Sequence, residues 1–257
     1  MREPETAANL YREWLPPAPW RDVVACCWEQ RTVEDRVQRV LPDAHADVVV
    51  YDTGQINLVG LHDEVDLPFL PAGTWIRGIR FRPEAVATAF HVDASALRNR
   101  SVPLADIVGS RRARRLLDPR ARDAWITSIE PSPRTRRAVD MLATHPVNAT
   151  AEALGLTARQ LHRVIVAEVG LAPKTFQNVL RLQRFVAATE QHRRLADAAA
   201  EAGYADQSHM TREVRALAGT TPARLVAERN SSAGSDLAIA TVATYGKATR
   251  STVTSPA

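Results

Sequence analysis

Lysine is almost missing from this chain of 257 residues: Lys174 and Lys247 are its only two, against 33 basic side chains in all. The positive charge therefore rests on arginine, whose planar fork can bond phosphate or guanine in bidentate fashion. A GC-rich genome also favours Arg and Ala, so composition alone names no partner. Cysteine is equally scarce. Cys26 and Cys27 are adjacent; such a pair neither frames a disulfide scaffold nor completes a four-ligand metal site, and it indicates a reducing compartment. No run approaches the ~18 apolar residues of a membrane span. The start, MREPETAANL, lacks the basic and apolar regions of a secretory signal. A soluble cytoplasmic protein with no membrane partner is expected. With 45% apolar residues the chain can build proper cores, in one large domain or two modest ones.

What is present divides into two textures. Val48 to Tyr51 and Ile56 to Val59 flank Thr53-Gly54 and read as a hairpin. Trp75 to Phe81 alternates like a strand, and VVACCW (Val23 to Trp28) reads as a buried one. Pro83 suits the first turn of a short helix, and the segments 93–100 and 101–117 continue in a helical pattern. Pro131 and Pro133 then interrupt helix, which places a linker at 131–136 between a domain of residues 1–130 and another of 137–229. The second reads as helix nearly throughout. Residues 230–257 are rich in Ser, Thr and Ala and are expected to form a disordered tail. Charge follows the same division. Residues 1–133 hold 17 basic and 19 acidic side chains, residues 134–230 hold 14 and 9. An excess of basic charge on the helical half suits a nucleic-acid partner.

The helical half contains an internal repeat. Ala151 and Gly155 match Ala199 and Gly203; Leu161, Arg163, Ile165, Gly170 and Pro173 match Met210, Arg212, Val214, Gly219 and Pro222. Each copy reads as helix, glycine turn, helix, glycine stop, then a new helix beginning near proline, which is a helix-turn-helix. Rotating the second helix of each copy at 100° per residue separates two faces. Leu161, Ile165 and Val169 fall together, as do Met210, Val214, Leu217 and Ala218, and these should be buried. The opposite faces carry Arg159, Gln160, His162 and Arg163 in the first copy and Gln207, Ser208, Thr211 and Arg212 in the second. Arg and Gln near a helix N-terminus suit guanine and adenine edges in a major groove. Either helix alone reads equally well as a solvated face; the duplication favours base readout. Lys174, Thr175, Arg215, Thr220, Thr221 and Arg224 lie at or beside the following helix starts, where free N–H groups hold anions and phosphate contacts position the protein. Thr221 is a plausible N-cap and Ala172 a poor one.

Residues 136–228 resemble the DNA-binding domain of AraC/XylS-type transcription regulators. AAAEAGYADQSHMTREVRALAGTTP carries the second-unit pattern, LGLTARQLHRVIVAEVGLAP the first, and RLQRF matches the linking helix, here about Thr175 to Gln191. Met210, Val214 and Ile165 stand where the family commonly has Phe, apolar exchanges that leave the exposed face alone. LPDAHADVVVY, GIRFRPEAVATAF and SVPLADIVG look like parts of a β-rich, cupin-like sensor module. The resemblance implies an α+β, cupin-like N-terminal domain that senses an effector or mediates dimerisation, followed by an all-α domain with two helix-turn-helix units. It further implies double-stranded DNA as partner, an unknown small-molecule effector, a homodimer, contact with RNA polymerase, and action as an activator in transcription regulation.

Other chemistries fit less well. His45, His62, Glu64 and His91 lack the spacing that sets two metal ligands on one strand face, so no metal and no cofactor is expected. Cys26 and Cys27 read as structural thiols, the five tryptophans as core rather than pocket lining, and RRARR (Arg111 to Arg115) as a solvated helix face. No catalytic residue is assigned. The rival reading is a small-molecule-binding or enzymatic cupin-like protein with an accessory helical module; convergent acid–base groups in residues 1–130 would favour it. A third is a DNA binder without sequence preference, recognisable by steep salt dependence and little base discrimination.

Overall fold

The structure, a computed structural model, describes residues 9–192 and 194–230. The expected tail from 231 onward lies outside them. Strands β1 (Leu10–Trp14), β2 (Val24–Arg31), β4 (Ala46–Tyr51), β5 (Ile56–Val59), β7 (Trp75–Phe81) and β8 (Ser101–Pro103) form one antiparallel sheet in the order β1-β2-β7-β4-β5-β8. β3 (Arg36–Val37) and β6 (Phe69–Leu70) pair separately as a short ribbon. The expected hairpin is the β4–β5 pair, in register from Asp47 opposite Val59 to Val50 opposite Ile56. The period of two along each strand sorts residues between faces. Cys27, Val48 and Phe81 join the main core, whereas Trp28, Val49 and Ile76 form a smaller cluster on the other face. That second face also buries a charge cluster, in which Arg80 bonds Glu13 at 2.8 Å and lies 3.3 Å from Asp43 and from Asp47.

Two expected helical segments, 101–117 and 93–100, are corrected here. Residues 101–103 form an edge strand, because their backbone completes the ladder with β5. The helical run after it divides at Gly109 into α2 (Leu104–Val108) and α3 (Ser110–Arg115), after α1 (Val86–Phe90). The interval 131–136 is largely helix: Pro133 opens α5 (Pro133–Leu142), and the Ser132 hydroxyl accepts from the Thr135 N–H. Proline at the first helical position has no N–H to lose there. The segment 93–100 is helical only as a short 3-10 turn over Ala94–Leu97.

The remaining helices are α4 (Pro119–Thr127), α6 (Val147–Ala153), α7 (Ala158–Val169), α8 (Pro173–Ala188), α9 (Leu195–Ala202), α10 (Gln207–Ala218) and α11 (Pro222–Asn230). The first half is thus β-rich and the second all-helical. One hydrophobic core runs through both, from Trp20 to Leu225. α7 packs against α1 and against residues 83–85 and 94–97 of the β-rich half. Gly170, which ends α7 at φ 94°, sits so near this contact that an added Cβ would lie 2.9 Å from the Ala94 carbonyl oxygen. At the other end of the helical half, Arg39 donates from Nη1 to the Ala218 carbonyl at 2.8 Å and from Nε to Glu228 at 3.0 Å. The first of these bonds satisfies a carbonyl orphaned at the C-terminus of α10 and places a cation where the helix dipole favours one.

Candidate nucleic-acid interface

The two copies of the repeat fold alike. α6 leads through Gly155 to α7, and α9 leads through Gly203 to α10. Gly203 takes φ 86° at the end of α9 with open space where a Cβ would stand, so its role is conformational: only glycine enters this region without strain. α10 can therefore begin a few residues on. Asp206 caps it by accepting the His209 N–H at 2.7 Å. α7 starts with a capping box, in which Thr157 accepts the Gln160 N–H at 3.2 Å while the Gln160 carboxamide oxygen accepts the Thr157 N–H at 2.9 Å. Each cap satisfies N–H groups that the first turn leaves open.

The buried faces are those that rotation separated. Leu161, Ile165 and Val169 of α7 and Met210, Val214, Leu217 and Ala218 of α10 are all buried. The opposite faces expose Arg159, Gln160, His162 and Arg163 on α7 and Gln207, Ser208 and Arg212 on α10, with Thr211 half-buried. Charge pairing separates the arginines further. Arg181 bonds Glu213 at 2.9 Å, Arg224 bonds Glu228 at 2.8 Å and Arg229 bonds Glu190 at 2.6 Å. Among the described residues, Arg159, Arg163, Arg212 and Arg215 make no ion pair, and all four are exposed. An exposed guanidinium without an internal partner keeps its full set of donors for an external acceptor.

Two of the expected contact residues are less free than the rest. Gln160 is exposed, but its carboxamide oxygen is taken up by the cap, and bidentate adenine readout needs both ends of that amide. Thr220 is only 9% exposed. The other phosphate candidates stay accessible to different degrees. Lys174 is exposed and Thr175 half-buried at the start of α8, whose N-cap Ala172 makes no side-chain bond. Thr221 accepts the Arg224 N–H at 3.3 Å and so caps α11. Arg224 is exposed, though already held by Glu228.

Thr157 and Asp206 position the two faces. Their signal was legible, since a Thr with Gln three residues later and an Asp before a polar-apolar run are helix-start patterns. Asp93 was not legible. It comes from the β-rich half and shares a recess with Arg159, His162 and Arg163, a neighbourhood that only tertiary packing creates.

The remaining residues set aside in the sequence are dispersed. His45 is buried and its Nδ1 lies 2.8 Å from the Asp43 carbonyl; burial, and then the Arg80 charge, lower its pKa from 6.5 to about 4. No metal-ligand cluster forms among the described residues. Cys27 is buried and Cys26 half-buried on β2, and desolvation pushes both thiols up, Cys27 to about 11 despite Arg122 nearby. The arginines of α3 lie mostly at the surface. Not every tryptophan is core: Trp14 and Trp75 are nearly half exposed.

Residues 150–228 match the family described as "Helix-turn-helix domain". They form an AraC-type helix-turn-helix domain. Residues 12–103 match a domain of unknown function, DUF6597. The chain is accordingly a DNA-binding transcription regulator with a further, β-rich domain ahead of its DNA-binding domain. No curated protein matches it. Among solved structures, the chain is similar to ToxT from Vibrio cholerae O395, at 9% identity and a TM-score of 0.40 over 77% of this chain and 94% of that one. It is also similar to the apo form of a ToxT point variant from Vibrio cholerae strain SCE256, at the same identity and score, over 85% and 97%. No helix among the described residues is long and apolar enough to cross a membrane.

Proposed function

We propose that the protein reads a specific duplex sequence with α7 and α10 laid in successive major grooves. Arg159, His162 and Arg163 of α7 and Gln207, Ser208, Thr211 and Arg212 of α10 contact bases. Lys174, Thr175, Arg215, Thr221 and Arg224 contact phosphates, Arg224 by exchanging Glu228 for the DNA backbone. Residues 1–130 act as the modulating domain, which responds to a small-molecule effector and joins two copies, and 137–229 as the reading domain; activation would run through RNA polymerase, in the cytoplasm. The observation that carries this reading is the set of exposed, internally unpaired arginines on two helices of the same build, in a half whose other arginines include several held by carboxylates. Arg at such positions bonds guanine O6 and N7 together.

The test is selection from a random duplex library at moderate salt, with the Arg163→Ala/Arg212→Ala double variant beside the wild type. The wild type is expected to enrich a bipartite motif whose halves lie about one helical turn apart, and the double variant to lose it. If wild type and variant enrich nothing and bind alike, the two-helix readout is wrong. A steep salt dependence in that case identifies a binder without sequence preference.

A further inference from the structure

The short helix α3 carries Arg111, Arg112, Arg114 and Arg115 within one run. This sets like charges three and four residues apart, where they repel one another. Elsewhere in the β-rich half guanidinium groups find carboxylates: Arg12 meets Glu29, Arg39 meets Glu228, Arg98 meets Asp63, and Arg80 meets Glu13, Asp43 and Asp47. Among the described residues, none of the arginines of α3 makes an ion pair. Asp118, close in sequence, spends its carboxylate on the cap of α4, where it accepts the Arg120 N–H at 2.8 Å.

These arginines also shape a recess. Arg111, Arg112 and Arg115 line a hollow of about 820 Å³ between the junction of α2 with α3 and the helix α4. Val108, Leu116 and Trp125 supply apolar walls, and among the described residues no carboxylate lines it. Arg111 and Arg115 are exposed and Arg112 is half-buried, so all three are open to a partner. The C-terminus of α3 favours cations through its dipole, which accounts for their being tolerated there. The dipole gives no reason for apolar walls beside them.

We infer that this recess docks an acidic segment of a partner protein, in which one large apolar side chain enters the hollow and neighbouring carboxylates bond Arg111, Arg112 and Arg115. The planar fork of arginine matches a carboxylate in bidentate fashion, and arginine clusters are a recurring seat for acidic motifs. A duplex fits the recess less well, since it offers phosphates but no apolar group to fill the hollow. The surface is built by residues 108–125 and uses none of the residues proposed to touch DNA.

The test is selection of random peptides displayed on phage against the full chain, without DNA. Wild type is expected to enrich peptides in which two or more Asp or Glu flank a Phe, Trp or Leu. A synthetic copy of the leading peptide, followed by fluorescence anisotropy, should bind one per chain. Arg111→Gln/Arg115→Gln should weaken that binding by about tenfold or more. Arg114→Gln/Arg120→Gln removes the same charge from exposed positions outside the lining and should weaken it by about twofold or less. Circular dichroism confirms that both variants are folded. Enrichment of nothing, enrichment of uncharged peptides, or equal loss in the two variants would each overturn the assignment. The salt dependence of binding to a random-sequence duplex should be the same in Arg111→Gln/Arg115→Gln as in wild type. A shallower dependence would make the recess a phosphate seat instead and overturn peptide docking. No DNA enters the peptide selection, so its outcome stands apart from that of the duplex selection.

Discussion

Replacing Gly170 by alanine tests the junction between the two halves, with Gly203→Ala as its control. Both glycines end a helix at strongly positive φ, 94° and 86°. Alanine in that region costs ~1–2 kcal/mol of backbone strain at either position. The surroundings differ. A Cβ at Gly203 meets nothing within 4 Å, whereas at Gly170 it would lie 2.9 Å from the Ala94 carbonyl oxygen and 3.2 Å from its carbon. The obstacle is backbone and cannot swing aside, so the 94–97 turn must move away from α7, at the ~1–3 kcal/mol typical of overpacking. Gly170→Ala should therefore lose about 2–5 kcal/mol and Gly203→Ala about 1–2. Urea unfolding of both variants under one set of conditions supplies the comparison. Equal losses would refute the close approach of α7 to the β-rich half, because strain alone would then account for both.

Other outcomes follow from the same geometry. Thr157→Ala and Asp206→Ala each remove an N-cap bond and should cost ~1 kcal/mol, seen as a melting temperature lowered by about 2–4 °C; no change in either would contradict the caps. His45, whose pKa falls from 6.5 unfolded to about 4 folded, stabilises fully above pH 6.5, and this contribution declines as the pH falls towards 4, since only the unfolded chain then takes up the proton. The gap corresponds to about 3 kcal/mol; His45→Asn should flatten that part of the stability–pH curve, and an unchanged slope would count against it. Partial burial opposes ionisation of Glu228, but hydrogen bonds from Arg224 and Arg39 outweigh it and hold its pKa below the ordinary 4.5. The stabilisation from this clamp is thus present above pH 4.5 and lost as pH falls through the lowered value. In Arg39→Ala a carbon-13 titration of Glu228 should show its pKa moved upward; an unmoved value would mean that Arg39 does not hold it.

The helical half could be read closely from the chain because its signals are local. A period of 3.6 sorts Leu161, Ile165 and Val169 from Arg159 and Arg163, whatever the rest of the molecule does. Gly203 and the residues before Pro173 mark turns by their own backbone preferences. The β-rich half was legible where apolar alternation is strong, as in the β4–β5 hairpin and Trp75 to Phe81. It was illegible at its sheet edges. Leu10–Trp14 and Ser101–Pro103 are short, partly exposed segments whose strand character comes from the neighbour that bonds them, and a partner distant in sequence leaves no local pattern. Gln160 shows the same limit at the site: its place on the exposed face was readable, but its capture by the Thr157 cap depends on a rotamer.

By itself, then, the amino-acid order determined the repeated helix-turn-helix, its buried and exposed faces, and the residue types offered to DNA, since each of these depends on spacing within one element. Tertiary structure alone decided which arginines are left without a carboxylate, that Arg39 clasps the end of α10, and that Asp93 stands beside the α7 face. Those facts depend on groups from distant parts of the chain arriving within a few ångströms of one another, and neither periodicity nor composition encodes such distances.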